Sequence, residues 1–385
     1  MDQVFNILIL LGGHIQALGL ARQAKKKGVK VLLMVPDGYA VARFSRYVDK
    51  TLVCKTEVDL LRSLEMHRGK STMLFPTSDE YIDVIVRHYE QLSEAFTVAL
   101  PEWSTVKLFA DKTRTYKFAE ENDIPHPWSR YPQSMEELQS MSGQLEYPVV
   151  IKPAVMYDFH KKFGKKAFLC SDKDSLLTKV AGLVAEQYPI SALIIQKFLE
   201  GGAKNLFSFG FFSVNGEVKS SITVNRIRQN PMDFGNSTTF AVTVDIPEIE
   251  EIAKHIIQLT NYTGMGEAEF MLDKGQYKFL EINTRAWKWH TISEGRGFSF
   301  IGDWMDYLNQ KDLSERKGKE VKCAWVERLT DIAVINKGVV RGQLKLGQAM
   351  RSYCRHKVSA VWSIKDPLPA IMYVLMSPIL FVKRY

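Results

Sequence analysis

Residues 6 to 35 restrict the fold of this chain more than any other stretch. NILILL (6 to 11) reads as a strand, GGHIQALGLARQAKKKG (12 to 28) as a glycine turn opening a helix, and VKVLLMV (29 to 35) as a second strand. Strand, helix, strand in this order is a βαβ unit, which implies a parallel pair. TLVC (51 to 54), TMLF (72 to 75) and FTVAL (96 to 100) follow with helices between them, so an open parallel sheet is predicted. Gly12, Gly13 and Gly19 do not have the G-x-G-x-x-G spacing, and the second strand runs into Pro36-Asp37-Gly38, so no dinucleotide cofactor is expected there. PTSDEYIDVI (76 to 85) starts a helix at the carboxyl end of a strand, where ligands of such sheets collect; Asp79 and Glu80 read as acids of a helix N-terminus.

A chain of 385 residues, 46% hydrophobic and 24% charged, can bury several cores and predicts two to three lobes. Cys54, Cys170, Cys323 and Cys354 form no C-x-x-C pair, so neither a disulfide framework nor a zinc site is expected, and a reducing cytosol fits. The N-terminal MDQVFNILILLGGH has a short apolar stretch, carries Asp2 and runs into the glycine turn, the pattern of a first strand and not of a signal peptide.

The chemistry sits further along. GMGEAEFMLD (264 to 273) and QYKFLEINTR (276 to 285) read as strands joined by a Lys274-Gly275 turn. Alternation sends Glu281 and Asn283 to one face, and a hairpin can bring Glu269 beside them. Two carboxylates and an amide oxygen are hard ligands of the kind Mg²⁺ takes alongside substrate phosphates. EYPVVIKPA (146 to 154) places Lys152 on a β-branched strand, where an ammonium needs an anion, and a phosphate is the natural partner. Lys112 opens the helical stretch DKTRTYKFAEEN (111 to 122) as a second cation. SALIIQKFLEGG (191 to 202) is an apolar strand that breaks at Gly201-Gly202, and its backbone is suited to reading an adenine edge. A helix is expected across 171 to 187 with Ser171 as its N-cap, and NLFSFGFFSVNGEVKSSITVNRIRQ (205 to 229) alternates about an Asn215-Gly216 turn.

In order, Lys112, Lys152, Gln196-Lys197-Phe198-Leu199-Glu200-Gly201, Glu269 and Glu281-x-Asn283-x-Arg285 resemble the ATP-grasp superfamily, over residues 1 to 310. The resemblance implies an α/β fold, α+β in the nucleotide lobes, behind an N-terminal Rossmann-like parallel-sheet lobe. It implies that Lys112 and Lys152 hold the phosphates of ATP, that Gln196, Lys197, Phe198, Leu199 and Glu200 flank adenine, and that Glu269, Glu281 and Asn283 bind Mg²⁺, for which Mn²⁺ can substitute. Arg285 matches the arginine that steadies the acyl phosphate. One departure is the phosphate-covering loop: MYDFHKKFGKKAF (156 to 168) offers only Gly164 among Lys161, Lys162, Lys165 and Lys166, which leaves open an electrostatic clamp or a solvated loop. RIRQNPMDFGNST (226 to 238) is similar to a segment of the D-aspartate ligase group; Arg226 and Arg228, two apart, form either a carboxylate clamp or part of a surface strand. His290 is either a proton acceptor or a packed histidine.

The implied division is 1–110, 111–190, 191–310 and a C-terminal extension, 311–385. The implied activity is that of an ATP-dependent, ADP-forming carboxylate–amine ligase, acting through an acyl phosphate on an amino acid or a cell-envelope precursor. A carbamoyl-phosphate-synthase-like or other amino-acid ligase stays open, as does a non-catalytic nucleotide-sensing membrane adaptor. From Arg351 to Tyr385 there are six Lys or Arg and one acid, of the chain's net +8. Within it LPAIMYVLMSPILFV (368 to 382) is too short to span a bilayer and is interrupted by Pro369 and Pro378. With Trp362, Tyr373 and Tyr385 beside it, this segment reads as a peripheral contact with an anionic inner-membrane surface, or as a tail folded onto the core or against a second subunit in a homodimer. The apolar run beside the charge argues against nucleic acid, so small-molecule carboxylates and amines are the expected partners of a cytoplasmic enzyme.

Overall fold

In the computed structural model, which describes residues 5–232, 237–313, 321–354 and 357–384, the first apolar runs pack on both of their faces. Strands β1 (Ile7–Leu11), β2 (Lys30–Val35), β3 (Lys50–Val53), β4 (Thr72–Pro76) and β5 (Thr97–Val98) form a sheet in the order β3-β2-β1-β4-β5, parallel throughout. Leu8, Leu10, Val31, Leu33 and Phe75 face one core with the helix Ile15–Lys25, while Ile9, Leu11, Leu32, Met34 and Leu74 face another with Leu60, Leu64 and Ile85. Strands covered on both faces by helices need apolar residues at every position, which is why these runs carry no alternation. Each such aliphatic side chain contributes about 1.5–3 kcal/mol on burial.

A second sheet contains β6 (Ser129–Arg130), β7 (Val149–Pro153), β8 (Phe168–Cys170) and β9 (Leu193–Lys197), ordered β6-β9-β7-β8 with antiparallel pairs. Val149, Ile151, Leu193 and Ile195 face the helices Met135–Ser142 and Lys173–Ala185. Alternation therefore turns Lys152 and Gln196 to the opposite face. The longer helix is capped by Asp172, not by Ser171: Asp172 accepts from Ser175 N at 2.8 Å, and Ser175 Oγ accepts from Asp172 N at 3.2 Å. A carboxylate one residue closer to the helix takes the cap, and the Ser171 hydroxyl donates to it at 2.6 Å.

The third sheet contains β10 (Leu206–Val214), β11 (Glu217–Asn230), β12 (Ser237–Thr243), β13 (Gly264–Asp273), β14 (Gln276–Asn283), β15 (Ala324–Val326) and β16 (Lys357–Ser359), in the order β14-β13-β10-β11-β12-β15-β16. Both expected hairpin turns form: Asn215 and Gly216 have φ of 49° and 78°, Lys274 and Gly275 φ of 49° and 83°. Two positive φ values in succession suit the twist of a tight hairpin, and Asn and Gly tolerate them best. Only β16 joins its neighbour β15 in parallel, among the pairs described for this sheet.

The chain divides into two compact units. One comprises the residues up to Trp103, Gly202–Glu267 and those from Asn283 onward; the other comprises Ser104–Gly201 and Ala268–Ile282. Within the first, the parallel sheet and the third sheet share a core in which Trp287, Trp289 and Trp304 meet Phe212 and Phe300. Within the second, Phe279 N donates to Pro125 O at 2.7 Å, tying β14 to the segment ahead of β6.

The tail folds back onto the first unit. Asp366, 1% exposed, accepts from Arg22 Nε at 2.9 Å, Ser45 Oγ at 2.7 Å and Arg46 N at 3.0 Å. The following helix, Leu368–Arg384, buries Pro369, Tyr373 and Met376 and packs against the turn Val41–Phe44. Contrary to expectation neither proline interrupts it: Pro369 sits in the first turn, where its missing N–H is no loss, and the Val374 carbonyl that Pro378 cannot serve accepts from Ser377 Oγ at 2.7 Å. Among the described residues no helix is long and apolar enough to cross a membrane. Asp366→Ala should leave Arg22 with only the backbone carbonyls of Val361 and residue 366 as partners and lower stability by about 3 kcal/mol, read as a drop in urea midpoint; an unchanged midpoint would show that the tail is held without this carboxylate.

Candidate active site

In the second unit one carboxylate is paired with a lysine and feels the charge of two more. Asp111 caps the helix Lys112–Glu121, accepting from Thr113 N at 2.8 Å, and Lys112 N donates to Ala154 O at 2.9 Å, which fixes the helix start at the end of β7. The Lys112 ammonium is ion-paired with Glu281 of β14; the two side chains are 14% and 32% exposed. Burial alone would raise the Glu281 carboxyl, but Lys112, with Lys166 and Lys152 adding their charge, outweighs it and pulls the group down to about 2. Burial likewise opposes the Lys112 charge and is outweighed by Glu281, Tyr116 and Glu269, which hold that ammonium above its usual range.

Lys152 is oriented by a relay. Its Nζ donates to Gln196 Oε1 at 2.7 Å, and Gln196 Nε2 donates to Ser129 Oγ at 2.9 Å. An ammonium can only donate, so the amide oxygen must face it. Gln196, expected beside adenine, thus has both ends of its buried amide engaged, and a contact from this position to a base would come from the backbone. Next along, Lys197 N donates to Trp128 O and Phe198 N to Pro148 O; Lys197 Nζ lies 3.6 Å from Glu146, Leu199 is buried and Glu200 exposed. A cavity of about 360 Å³ in this unit is lined in part by Lys197, with Trp128, Arg130 and Lys278. The lysine-rich segment forms a helix, Met156–Phe163, and a turn; Lys161, Lys162 and Lys165 are exposed, and only Lys166 is drawn in toward Glu281. The side chains of residues 156–158 and 160 lie outside the described residues.

The first unit places Asn283 and Arg285. Asn283 Nδ2 donates to Glu267 Oε2 at 3.2 Å, and Trp289 Nε1 donates to Glu267 Oε1 at 2.8 Å. Arg285 grips Asp79 bidentately, Nε to Oδ1 at 2.5 Å and Nη2 to Oδ2 at 2.9 Å, at the carboxyl end of β4. Asp79 therefore does more than start its helix. Sequence reasoning overlooked Glu267, although its place two residues before Glu269 gives both the same strand parity. It also overlooked Lys288, which donates to Ser237 Oγ at 2.9 Å and lies 3.7 Å from the buried Glu327.

The carboxylate clamp expected of Arg226 and Arg228 does not assemble. Register slips between Asn225 and Arg228, so strict alternation fails there, and both residues are buried. Arg228 is committed to Asp331 by two bonds of 2.8 Å, with Ser352 at 3.1 Å and the Phe240 ring 4.1 Å away; Thr239 and Tyr353 also donate to Asp331. The surface-strand alternative fails too. Residues 233–236 of that segment lie outside the described residues. His290 is fully buried, with Nε2 against Gln16 O at 3.2 Å, and burial lowers it to about 4, so it is a neutral packed histidine.

The donor set suits Mg²⁺. In the second unit Glu281 is held ionised, and in the first the amide nitrogen of Asn283 is turned to Glu267, with its oxygen on the other side. Among the described residues no three His, Cys, Asp or Glu side chains gather to hold a metal by themselves.

A family profile described as the ATP-grasp domain matches residues 109–287. A D-aspartate ligase of Enterococcus faecium is 24% identical over 302 residues, 72% of this chain and 71% of that protein. Among solved structures, an N5-carboxyaminoimidazole synthetase from Staphylococcus aureus complexed with ADP superimposes with a TM-score of 0.67 at 14% identity, covering 88% of this chain and 86% of the other. A biotin carboxylase from Campylobacter jejuni in complex with β,γ-ATP does so with a TM-score of 0.65 at 15% identity, covering 82% and 73%.

Because the folded Glu281 carboxyl titrates below its ordinary 4.5, the pair with Lys112 contributes stability above about pH 4.5 and loses it as pH falls toward 2. In Lys112→Met the Glu281 midpoint, followed by carbon-detected NMR, should move up from about 2; an unmoved midpoint would remove Lys112 as the cause.

Proposed function

The chain carries an ATP-grasp domain, and from that premise we propose that it is an ATP-dependent, ADP-forming carboxylate–amine ligase. The observation that carries this reading is the Glu281 carboxylate held ionised among Lys112, Lys152 and Lys166. Lys112, Lys152 and Lys166 beside Glu281 and Glu269 form a positively charged cluster suited to a polyphosphate. Lys112 and Lys152 take the phosphates, with Lys197, Phe198, Leu199 and Glu200 along adenine, and Glu269, Glu281 and Asn283 are the metal ligands. Bound Mg²⁺ would neutralise charge on the phosphate oxygens.

A substrate carboxylate oxygen attacks the γ-phosphorus, the bond to the β-phosphate oxygen breaks and ADP leaves. The lysines draw off the charge that develops. An amine then adds to the acyl phosphate carbonyl, gives up a proton and expels inorganic phosphate, leaving an amide. Arg285, held in plane by Asp79, faces the charge of that tetrahedral species. Similarity to a D-aspartate ligase favours an amino acid as the carboxylate.

ADP release should require one carboxylate and one amine together, when acidic amino acids of both hands are screened against amines. Glu281→Gln should cut it by about a hundredfold or more while nucleotide-free thermal stability shifts by only a few degrees. ATP bound without turnover for every pair would favour the nucleotide-sensing adaptor instead.

The tail supports a second element of the proposal, a peripheral contact with anionic lipid. Leu368, Ile371, Leu375 and Ile379 lie along one stripe of their helix, 44–65% exposed, and Lys365 just ahead of it is exposed. An apolar stripe beside cations suits a headgroup layer. The side chains of Lys383, Arg384 and Tyr385, expected to join it, lie outside the described residues. Ile371→Asp with Leu375→Asp should abolish co-sedimentation with phosphatidylserine vesicles at an unchanged melting temperature. Equal pelleting of both proteins, or a dimer that the same changes dissociate without any lipid binding, would overturn the lipid assignment.

A further inference from the structure

Glu267 is a carboxylate where the surroundings call for a hydrocarbon. It is 4% exposed on β13, beside Met265 and Trp289, each 1% exposed. A buried carboxylate is costly unless donors hold it, so its presence needs a reason. Its two oxygens are divided. Oε1 accepts from the indole N–H of Trp289 at 2.8 Å, and Oε2 from the amide of Asn283 at 3.2 Å.

The geometry is directional. Trp289 is locked by its neighbours, with the Trp287 ring 5.3 Å away at 60°, so its N–H fixes the plane of the carboxylate. Both of these contacts to it are donations, from Trp289 Nε1 and from Asn283 Nδ2. The nitrogen of Asn283 faces Glu267, and its oxygen faces the other way.

We infer that Glu267 is a positioning residue that sets the amide orientation of Asn283 through Trp289, and with it the affinity of the site for a divalent cation. The inference rests on the proposed role of Asn283 as a metal ligand. Outer-sphere partners of this kind change metal affinity about 10–100-fold in known sites.

The test is Mn²⁺ titration of the full chain, followed by electron paramagnetic resonance at a saturating level of a non-hydrolysable ATP analogue. Affinity for that analogue is measured in parallel in EDTA. Glu267→Ala and Asn283→Ala should each raise the apparent Mn²⁺ Kd about tenfold, leave metal-free nucleotide affinity unchanged, and fail to add when combined. If Asn283→Ala weakens Mn²⁺ binding and Glu267→Ala does not, or if the two effects add, the inference is overturned and the ligand role of Asn283 stands. If Asn283→Ala leaves Mn²⁺ binding unchanged, that role falls and the inference with it. Should Glu267→Ala not fold, Glu267→Gln, of the same shape, enters the same cycle: a shift of the same sign that vanishes in Asn283→Ala supports the inference, and no shift overturns it.

Discussion

An acid surrounded by ammonium groups is the constraint on which the site depends. Glu281 would resist ionisation where it stands, and Lys112 would resist carrying charge; each holds the other ionised. The neighbouring structure serves that pair. Asp111 caps the helix that begins at Lys112, Ala154 fixes where that helix starts, and the relay from Ser129 through Gln196 aims Lys152. Lys152 and Lys166 add positive charge beside that pair. That charge connects the local electrostatics to polyphosphate chemistry.

Not every buried charge in the chain is a reagent. Arg228 and Asp331 bond one another, and Ser352, Thr239 and Tyr353 add further hydrogen bonds to the pair, joining β11 to the helix Arg328–Val340. Asp366 similarly ties the tail to Arg22 and the segment around Ser45. Such buried nodes fix geometry. Arg285 is gripped by Asp79, a carboxylate that is itself 71% exposed.

Much was legible in the chain because local rules governed it. The unbroken apolar runs demanded strands covered on both faces, and Asn215-Gly216 and Lys274-Gly275 demanded tight hairpins. Lys112, Lys152, Glu269 and Glu281, whose charges act on one another in the fold, stood out by order and residue type. Errors arose where a side chain's partner lay far along the sequence. Arg228 looked like a substrate clamp because Asp331, 103 residues on, was invisible to pattern. Pro378 looked like a break because the rescue of Val374 O by Ser377 depends on the helix having already formed.

The sequence by itself determined which segments are strands and helices, the α/β class and the inventory of charged groups, since periodicity and turn chemistry act over a few residues. Tertiary structure alone decided which charges meet: that Lys112 faces Glu281 across 169 residues of chain, that Glu267 holds Asn283, and that Arg228 is spent inside the core. The physical reason is range. Backbone preference is set by neighbours in sequence, whereas the ionisation and orientation of a side chain are set by whatever the fold places within a few ångströms of it.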